Sequence, residues 1–412
     1  MTRHCVMRFG VLLVLINQFF SSYAQEVHSN NIDTLMHQAI HKKAFPGAQL
    51  LIARRGKIIL HKAYGYHTYD SLQKVELTHL YDLASMTKVL ASTLSFMKAY
   101  EDYELDLGQK VKMEFQELKW RRKGQSSFKE ILSHQAGWLP YITHQNKVIN
   151  KRGEYRSKSI QYGFSNEFPN PLIDSLFIHK NYRNKIFRRI YRSPVKNIGT
   201  YRYSGLWFFL VPEFIERKYA QSFTSFLKYH FYEPLNADRL TFNPYLYFPK
   251  SEIIPTEIDT LMRRTLVRGY VHDEAAALMG GISGNAGLFG NAASVFKIAE
   301  MLRLKGTIDG KEYFHKSTVE IFTDQAYPNS SNRRGLGFDK PDLSLKTPYP
   351  STLISQSAFG HTGFTGTMAW VDPEAEMVIV LLTNRVYPSR EHRKLYSLRV
   401  REQLIDLALQ IN

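Results

Sequence analysis

The most regular apolar patterning in this chain lies near its C-terminal end and has a counterpart near the N-terminal end. Residues 368–371 and 377–383 run apolar on either side of Asp372-Pro373-Glu374, which predicts a strand pair. Residues 48–53 and 57–64 flank Arg54-Arg55-Gly56 in the same way. A first helix is expected over 32–43, with Leu35, Met36 and Ile40 on one side and Phe45-Pro46-Gly47 ending it. A closing helix is expected over 390–411, with Leu395, Leu398, Val400, Leu404, Ile405 and Leu409. Strands at both ends with helices between them predict an α/β (α+β) fold. One antiparallel sheet is built from both chain ends and flanked by helices, and the interior forms an inserted, mostly helical lobe. The sheet lobe is drawn at about 32–84 and 290–412, the helical lobe at about 85–289.

Between these ends, Asp82-Leu83-Ala84-Ser85-Met86-Thr87-Lys88 holds a Ser-x-x-Lys pair at the start of a helix predicted over 86–100 by Leu90, Leu94 and Met97. Residues three apart share a helix face, so Lys88 is expected to stand over Ser85. A serine hydroxyl attacks well only when a neighbour takes its proton, and a lysine made less basic by burial can do so. The spacing alone is common: seven serines in the chain precede a lysine by three positions, and Ser85 stands out by its helix-start context. Further on, 128–132 reads as a short helix leading into the loop Ser133-His134-Gln135-Ala136-Gly137-Trp138. Residues 141–200 are basic and aromatic with helix expected around 171–179 and 183–191. The segment 206–219 reads as a helix kinked by Pro212, and 223–232 as another. The glycine-rich run 280–290 ends in no Gly-Lys-Ser/Thr and contains no Gly-x-Gly-x-x-Gly, so it is read as close backbone packing beside a cleft rather than a phosphate loop. His272-Asp273 reads as a hydrogen-bonded structural pair and not as a metal site.

Residues 1–24 carry a basic start (Arg3, Arg8), an apolar core and the small-residue end Ser22-Tyr23-Ala24. They are read as a secretory signal cleaved after Ala24, leaving 25–412 in the periplasm or secreted. The one cysteine, Cys5, precedes that apolar core, so the mature chain has no disulfide and no thiolate metal site. The formal charge is +17; Arg3 and Arg8 fall in the leader, which leaves +15 for the rest. The excess is concentrated in 119–123, 147–158 and 180–196, a surface suited to weak association with an anionic envelope. Nucleic acid is not expected as a partner, because no reading motif accompanies the charge.

Ser85-x-x-Lys88, Tyr203-Ser204-Gly205 and His361-Thr362-Gly363, in that order, resemble the serine β-lactamase and penicillin-binding protein family, in its class C and esterase-like branch. Phe45-Pro46-Gly47-Ala48, Leu132-Ser133-His134-Gln135-Ala136-Gly137, Val271-His272-Asp273-Glu274, Gly287-Leu288-Phe289 and Leu382-Thr383-Asn384-Arg385 agree with it. The nearest likeness is to the β-lactamase-like domain fused to some bacterial β-N-acetylglucosaminidases. The resemblance covers roughly Ile32 onward. It implies a serine hydrolase with Ser85 as nucleophile, Lys88 and Tyr203 moving its proton, and His361 beside them. The backbone N–H groups of Ser85 and Phe364 would form the oxyanion hole, and Thr362, Gly363 and Gly205 would line the substrate. It implies no metal and no organic cofactor. The partner would be a small-molecule ester, a β-lactam or a cell-wall peptide.

Two positions depart from the family pattern. Gly205 stands where the family commonly has an asparagine that hydrogen-bonds the substrate amide, which favours simple esters or a relative that only binds. His361 stands where lysine is common. A tyrosine with a pKa near 10 needs cations close by to act as a base, and Lys88 and His361 are the candidates on sequence. A histidine near half charge at about pH 6.5 further predicts that binding of a substrate carboxylate weakens as pH rises through neutrality.

Overall fold

Strand Met377–Thr383 is buried along its whole length, so both of its faces need cover. The computed structural model describes residues 30–411 apart from Leu345 and Thr347; the leader expected at 1–24 lies outside these residues. Met377–Thr383 pairs antiparallel with Gly47–Arg54, Ala48 opposite Thr383 through to Arg54 opposite Met377. The five-stranded sheet runs Phe359–Thr362, Met368–Asp372, Met377–Thr383, Gly47–Arg54, Lys57–Gly65. Both predicted strand pairs and the union of the two chain ends are therefore observed.

The two-residue period of a strand sorts the central side chains between two cores. Leu50, Ile52, Ile379 and Leu381 pack with Ile32 and Met36 of the helix at 30–41 and with Leu404 and Ile405 of the helix Val400–Leu409. Leu51, Ala53, Val378 and Val380 face the opposite way, toward Val295 and Ile298 of the helix Ala292–Arg303. The closing helix is interrupted: Lys394–Ser397 and Val400–Leu409 are separate, with Arg399 between them in the left-handed region at φ 50°.

The other lobe is organised around aromatic rings. Phe96, on the helix Leu94–Asp102, stacks on Phe214 with centroids 5.5 Å apart and meets Phe128 edge-on at 4.9 Å. Phe322, from the helix Lys316–Thr323, reaches the same cluster. Residues 141–200 are less helical than expected. The helix Tyr182–Arg192 is present, but 171–179 is a hairpin, Asn170–Ile173 with Leu176–Ile178, beside Ile160–Tyr162. Its short apolar run fits either element, and Asp174-Ser175 turns it back. Asn170–Ile173 is an edge strand, where Pro171 can sit without costing a ladder bond. Pro212 likewise does not kink a helix; it stands in the first turn of Val211–Tyr219, where its missing N–H is harmless.

Truncating Leu381, which is fully buried in the sheet, is expected to cost about 2–5 kcal/mol. Denaturant titration of Leu381→Ala beside Leu72→Ala, whose side chain is exposed, checks this; the second should stay within about 0.5 kcal/mol of the parent.

Candidate active site

The sequence around Ser85 is held from both sides. Asp82 ends the short strand Tyr81–Asp82, and its buried carboxylate accepts from Ala84 N at 2.8 Å and from His272 N at 2.6 Å. Ala84 sits at φ 47°, a strained region for alanine that these bonds hold in place. A 3₁₀ turn over Ala84–Met86 follows, then a π-helical turn over Lys88–Thr93, then the α-helix Leu94–Asp102. The uniform helix expected from the apolar spacing is overridden by these contacts. Thr87 Oγ1 donates to Ala84 O at 2.7 Å, and Ser92 Oγ donates to Gly284 O at 2.8 Å. Buried Lys88 places Nζ 2.9 Å from Ser85 Oγ and donates to Asn285 O at 2.8 Å.

Ser85 and Lys88 open into a cleft of about 530 Å³ that is also lined by Tyr203, Gly205, Phe209, Asn285 and Phe364. The turn carrying Phe364 is pressed against the serine turn. A β-carbon on Gly363 would collide with Thr367 Oγ1 and Leu83 O, so only glycine allows this approach. Thr365 Oγ1 donates to Asp82 O at 2.7 Å and Thr367 Oγ1 to Leu83 O at 3.1 Å. Arg401 donates to Gly363 O at 3.0 Å and Arg385 to Phe364 O at 2.8 Å. The Phe364 N–H donates to no acceptor among the described residues. At Gly205, by contrast, the nearest atoms to an added β-carbon are 3.9–4.0 Å away, on Asn285, Pro140 and Lys88, so a side chain would fit there.

Tyr203 is surrounded by ring and charge. His134 lies 4.6 Å from its ring centroid and His361 6.1 Å; Lys88 Nζ lies 5.4 Å and Arg334 Cζ 5.2 Å. His361 is buried and donates from Nδ1 to Thr362 O at 2.8 Å. Burial, reinforced by Arg334 and Lys88, pushes its pKa well below the ordinary histidine value. His361 is therefore neutral at pH 7 and is not the second cation expected from sequence. His134 is held neutral in the same way, by burial first and then by Arg334, His361 and Lys88.

The arrangement can be compared with known proteins. The β-lactamase family model matches residues 30–402. The chain belongs to the β-lactamase family. The "Putative D-alanyl-D-alanine carboxypeptidase" of Escherichia coli O157:H7 is 27% identical over 377 residues, covering 86% of this chain and 82% of that one. Among solved structures, EstCE1, a hydrolase with promiscuous acyltransferase activity, superposes with a TM-score of 0.66 at 18% identity, covering 92% of this chain and 98% of that one. A class C β-lactamase superposes with a TM-score of 0.64 at 14% identity, covering 94% and 98%. This β-lactamase-family protein is a serine hydrolase.

Of the residues picked out in sequence, Ser85, Lys88, Tyr203, Gly205 and Phe364 share the cleft wall. His361, Thr362 and Gly363 do not line it: His361 lies behind Tyr203, and Gly363 is spent on the approach to Leu83. His272 and Asp273 both line the cleft but do not pair with each other. His272 Nε2 bonds Glu257 at 2.7 Å, and Asp273 caps the helix Glu274–Ala277 by accepting from Ala276 N. Arg334, which also faces Tyr203, was not picked out in sequence, because it carries no motif signal of its own. Lys123, counted with the basic surface, is instead buried against the carbonyls of Ser193 and Pro194.

With His361 neutral, KM for a carboxylate-bearing substrate should show no histidine-linked rise between about pH 5.5 and 8.5. Steady-state kinetics of the wild type across that range, beside His361→Asn, checks this. The expected result is two parallel pH profiles for KM.

Proposed function

We propose that this protein is an exported serine hydrolase in which Ser85 forms a transient acyl-enzyme with a small, uncharged ester. The supporting observation is the 2.9 Å contact of Lys88 Nζ with Ser85 Oγ on the wall of a cleft shared with Tyr203 and Phe364. Ser85 Oγ adds to the substrate carbonyl while its proton passes to Lys88 or Tyr203. The oxyanion is received by the N–H groups of Ser85 and Phe364, where each donor is worth about 3–4 kcal/mol in related chemistry. The leaving alkoxide takes the proton, and water then releases the acid from Ser85.

Two features favour esters over β-lactams and peptides. Gly205 offers no side chain to a substrate amide, and His361 offers no charge to a substrate carboxylate. The name of the Escherichia coli relative supports a second substrate class, cell-wall peptide, reached after export behind the leader at 1–24. The basic surface would then favour the anionic envelope.

Hydrolysis of p-nitrophenyl acetate and nitrocefin by the mature protein, beside Ser85→Ala, tests the reading. Ester turnover should exceed nitrocefin turnover, and both should vanish in Ser85→Ala. Wild type and mutant equally inert, with Ser85 unlabelled by a fluorophosphonate, would instead indicate a binding protein that kept the cleft. Gly205→Asn is expected to raise nitrocefin turnover relative to the ester by roughly 3–10-fold. That corresponds to one restored hydrogen bond of about 0.5–1.5 kcal/mol.

A further inference from the structure

A trans peptide carries its N–H and its C=O on opposite edges of one plane, so whatever holds the carbonyl also aims the N–H. The Phe364 N–H belongs to the trans peptide whose carbonyl oxygen is Gly363 O. Two donors hold that oxygen, Arg401 Nη2 at 3.0 Å and Gly366 N at 3.1 Å. Arg401 Nη2 also reaches Thr367 O at 2.8 Å, and Thr367 O accepts from Gly363 N at 2.7 Å. One guanidinium nitrogen therefore ties both ends of the turn 363–367. The N–H on the other edge of the held peptide is the one that donates to no acceptor among the described residues.

The charge that does this is committed to no carboxylate. Arg401 stands in the first turn of Val400–Leu409, just after the left-handed Arg399 that interrupts the closing helix. Among the described residues its hydrogen bonds go to carbonyl oxygens alone, and its Nε is buried without a partner. Burial lowers its pKa from the usual arginine value, with Tyr396 and then Tyr349 and Glu402 opposing. A guanidinium stays charged through such a shift. Arg385 backs the same turn differently. It is buried, donates to Phe364 O at 2.8 Å and lies 4.5 Å from the Phe364 ring centroid. It thus holds the next peptide along, not the one that carries the Phe364 N–H. Both guanidiniums meet the Tyr396 ring, at 4.9 Å for Arg385 and 5.6 Å for Arg401. Neither lines the cleft.

We propose that Arg401 aims and polarises the Gly363–Phe364 peptide, making the Phe364 N–H a stronger donor to the oxyanion than an ordinary backbone N–H. Arg401 is a positioning residue acting through that peptide from behind the cleft wall. A charged donor on a carbonyl makes a hydrogen bond roughly twice as strong as a neutral one. It draws electron density toward the oxygen and leaves the N–H of the same peptide more positive, so hydrogen bonds in line strengthen one another by about 10–30% each. The inference rests on the acyl-enzyme reading above and adds a residue, on the last helix of the chain, that sets the strength of its oxyanion hole.

The test is the carbonyl stretch of the acyl-enzyme, read by infrared difference spectroscopy with an ester isotope-labelled at its acyl carbonyl, beside steady-state kinetics. Donors to the acyl oxygen weaken its C=O bond, so the wild-type band should lie at lower wavenumber than that of the free ester and be absent in Ser85→Ala. No such band in the wild type would defeat the acyl-enzyme reading itself. Arg401→Gln keeps a donor without the charge, and Arg401→Met removes both. Both should move the band to higher wavenumber, Arg401→Met further. In Arg401→Met, kcat should fall about tenfold, short of the roughly hundredfold or more for loss of a whole donor, with KM within about twofold. Arg401→Lys keeps the charge and should return most of the band shift; the Lys and Gln variants decide the matter if Arg401→Met does not fold. A band unmoved in Arg401→Gln, or moved as far in Arg401→Lys as in Arg401→Gln, would overturn the proposal and leave Arg401 a brace between the closing helix and the turn.

Discussion

Two threonine hydroxyls join the chain ends to the serine turn, and the site depends on that seam. Thr365 and Thr367, on the turn that leads into strand Met368–Asp372, donate to the carbonyls of Asp82 and Leu83. Each such bond contributes only about 0.5–1.5 kcal/mol net. Both are buried, however, and a partner left unpaired would cost more than the bond yields. Gly363 makes the contact sterically possible, and Asp82 holds the other side by accepting from Ala84 and His272. The strained Ala84 backbone, the Ser85–Lys88 contact and the unspent Phe364 N–H all lie where these two turns press together.

The electrostatics of the cleft follow from depth rather than from composition. The chain is strongly basic, but most of that charge is on the surface, and the groups that matter are few and buried. Histidines at this depth lose their protons, as His134 and His361 do. A guanidinium keeps its charge there if a carboxylate and phenol rings compensate for lost water, as Asp339, Tyr201 and Tyr203 do for Arg334. The wall opposite is fixed by a tight network. Burial would raise the Glu257 carboxyl, but hydrogen bonds from His272 and Arg390 outweigh it and hold the group at about 2.

The sheet was legible in sequence because a strand buried on both faces reads as a nearly unbroken apolar run, as residues 377–383 do and 48–53 do apart from Gln49. The serine, lysine and tyrosine were legible through ordered short motifs. What escaped was set by contacts distant in sequence. The apolar run at 171–178 satisfies either periodicity, and only its edge position decides for strand. Pro212 reads as a kink until the helix start at Val211 is known. The charge state of His361 depends on burial and on Arg334 and Lys88, far from it in sequence. Arg334 lies in an ordinary loop sequence and gains its place only when the loops at 132–135 and 332–337 dock.

The central claim is that Ser85 carries the acyl group. Acid-quenched intact-mass spectrometry during turnover of a slow ester, followed by peptide mapping, measures this directly. The account predicts an adduct of the acyl mass on the peptide containing Ser85, absent in Ser85→Ala and removed as hydrolysis completes. Turnover without any adduct on Ser85, or an adduct on another residue that persists in Ser85→Ala, would contradict it.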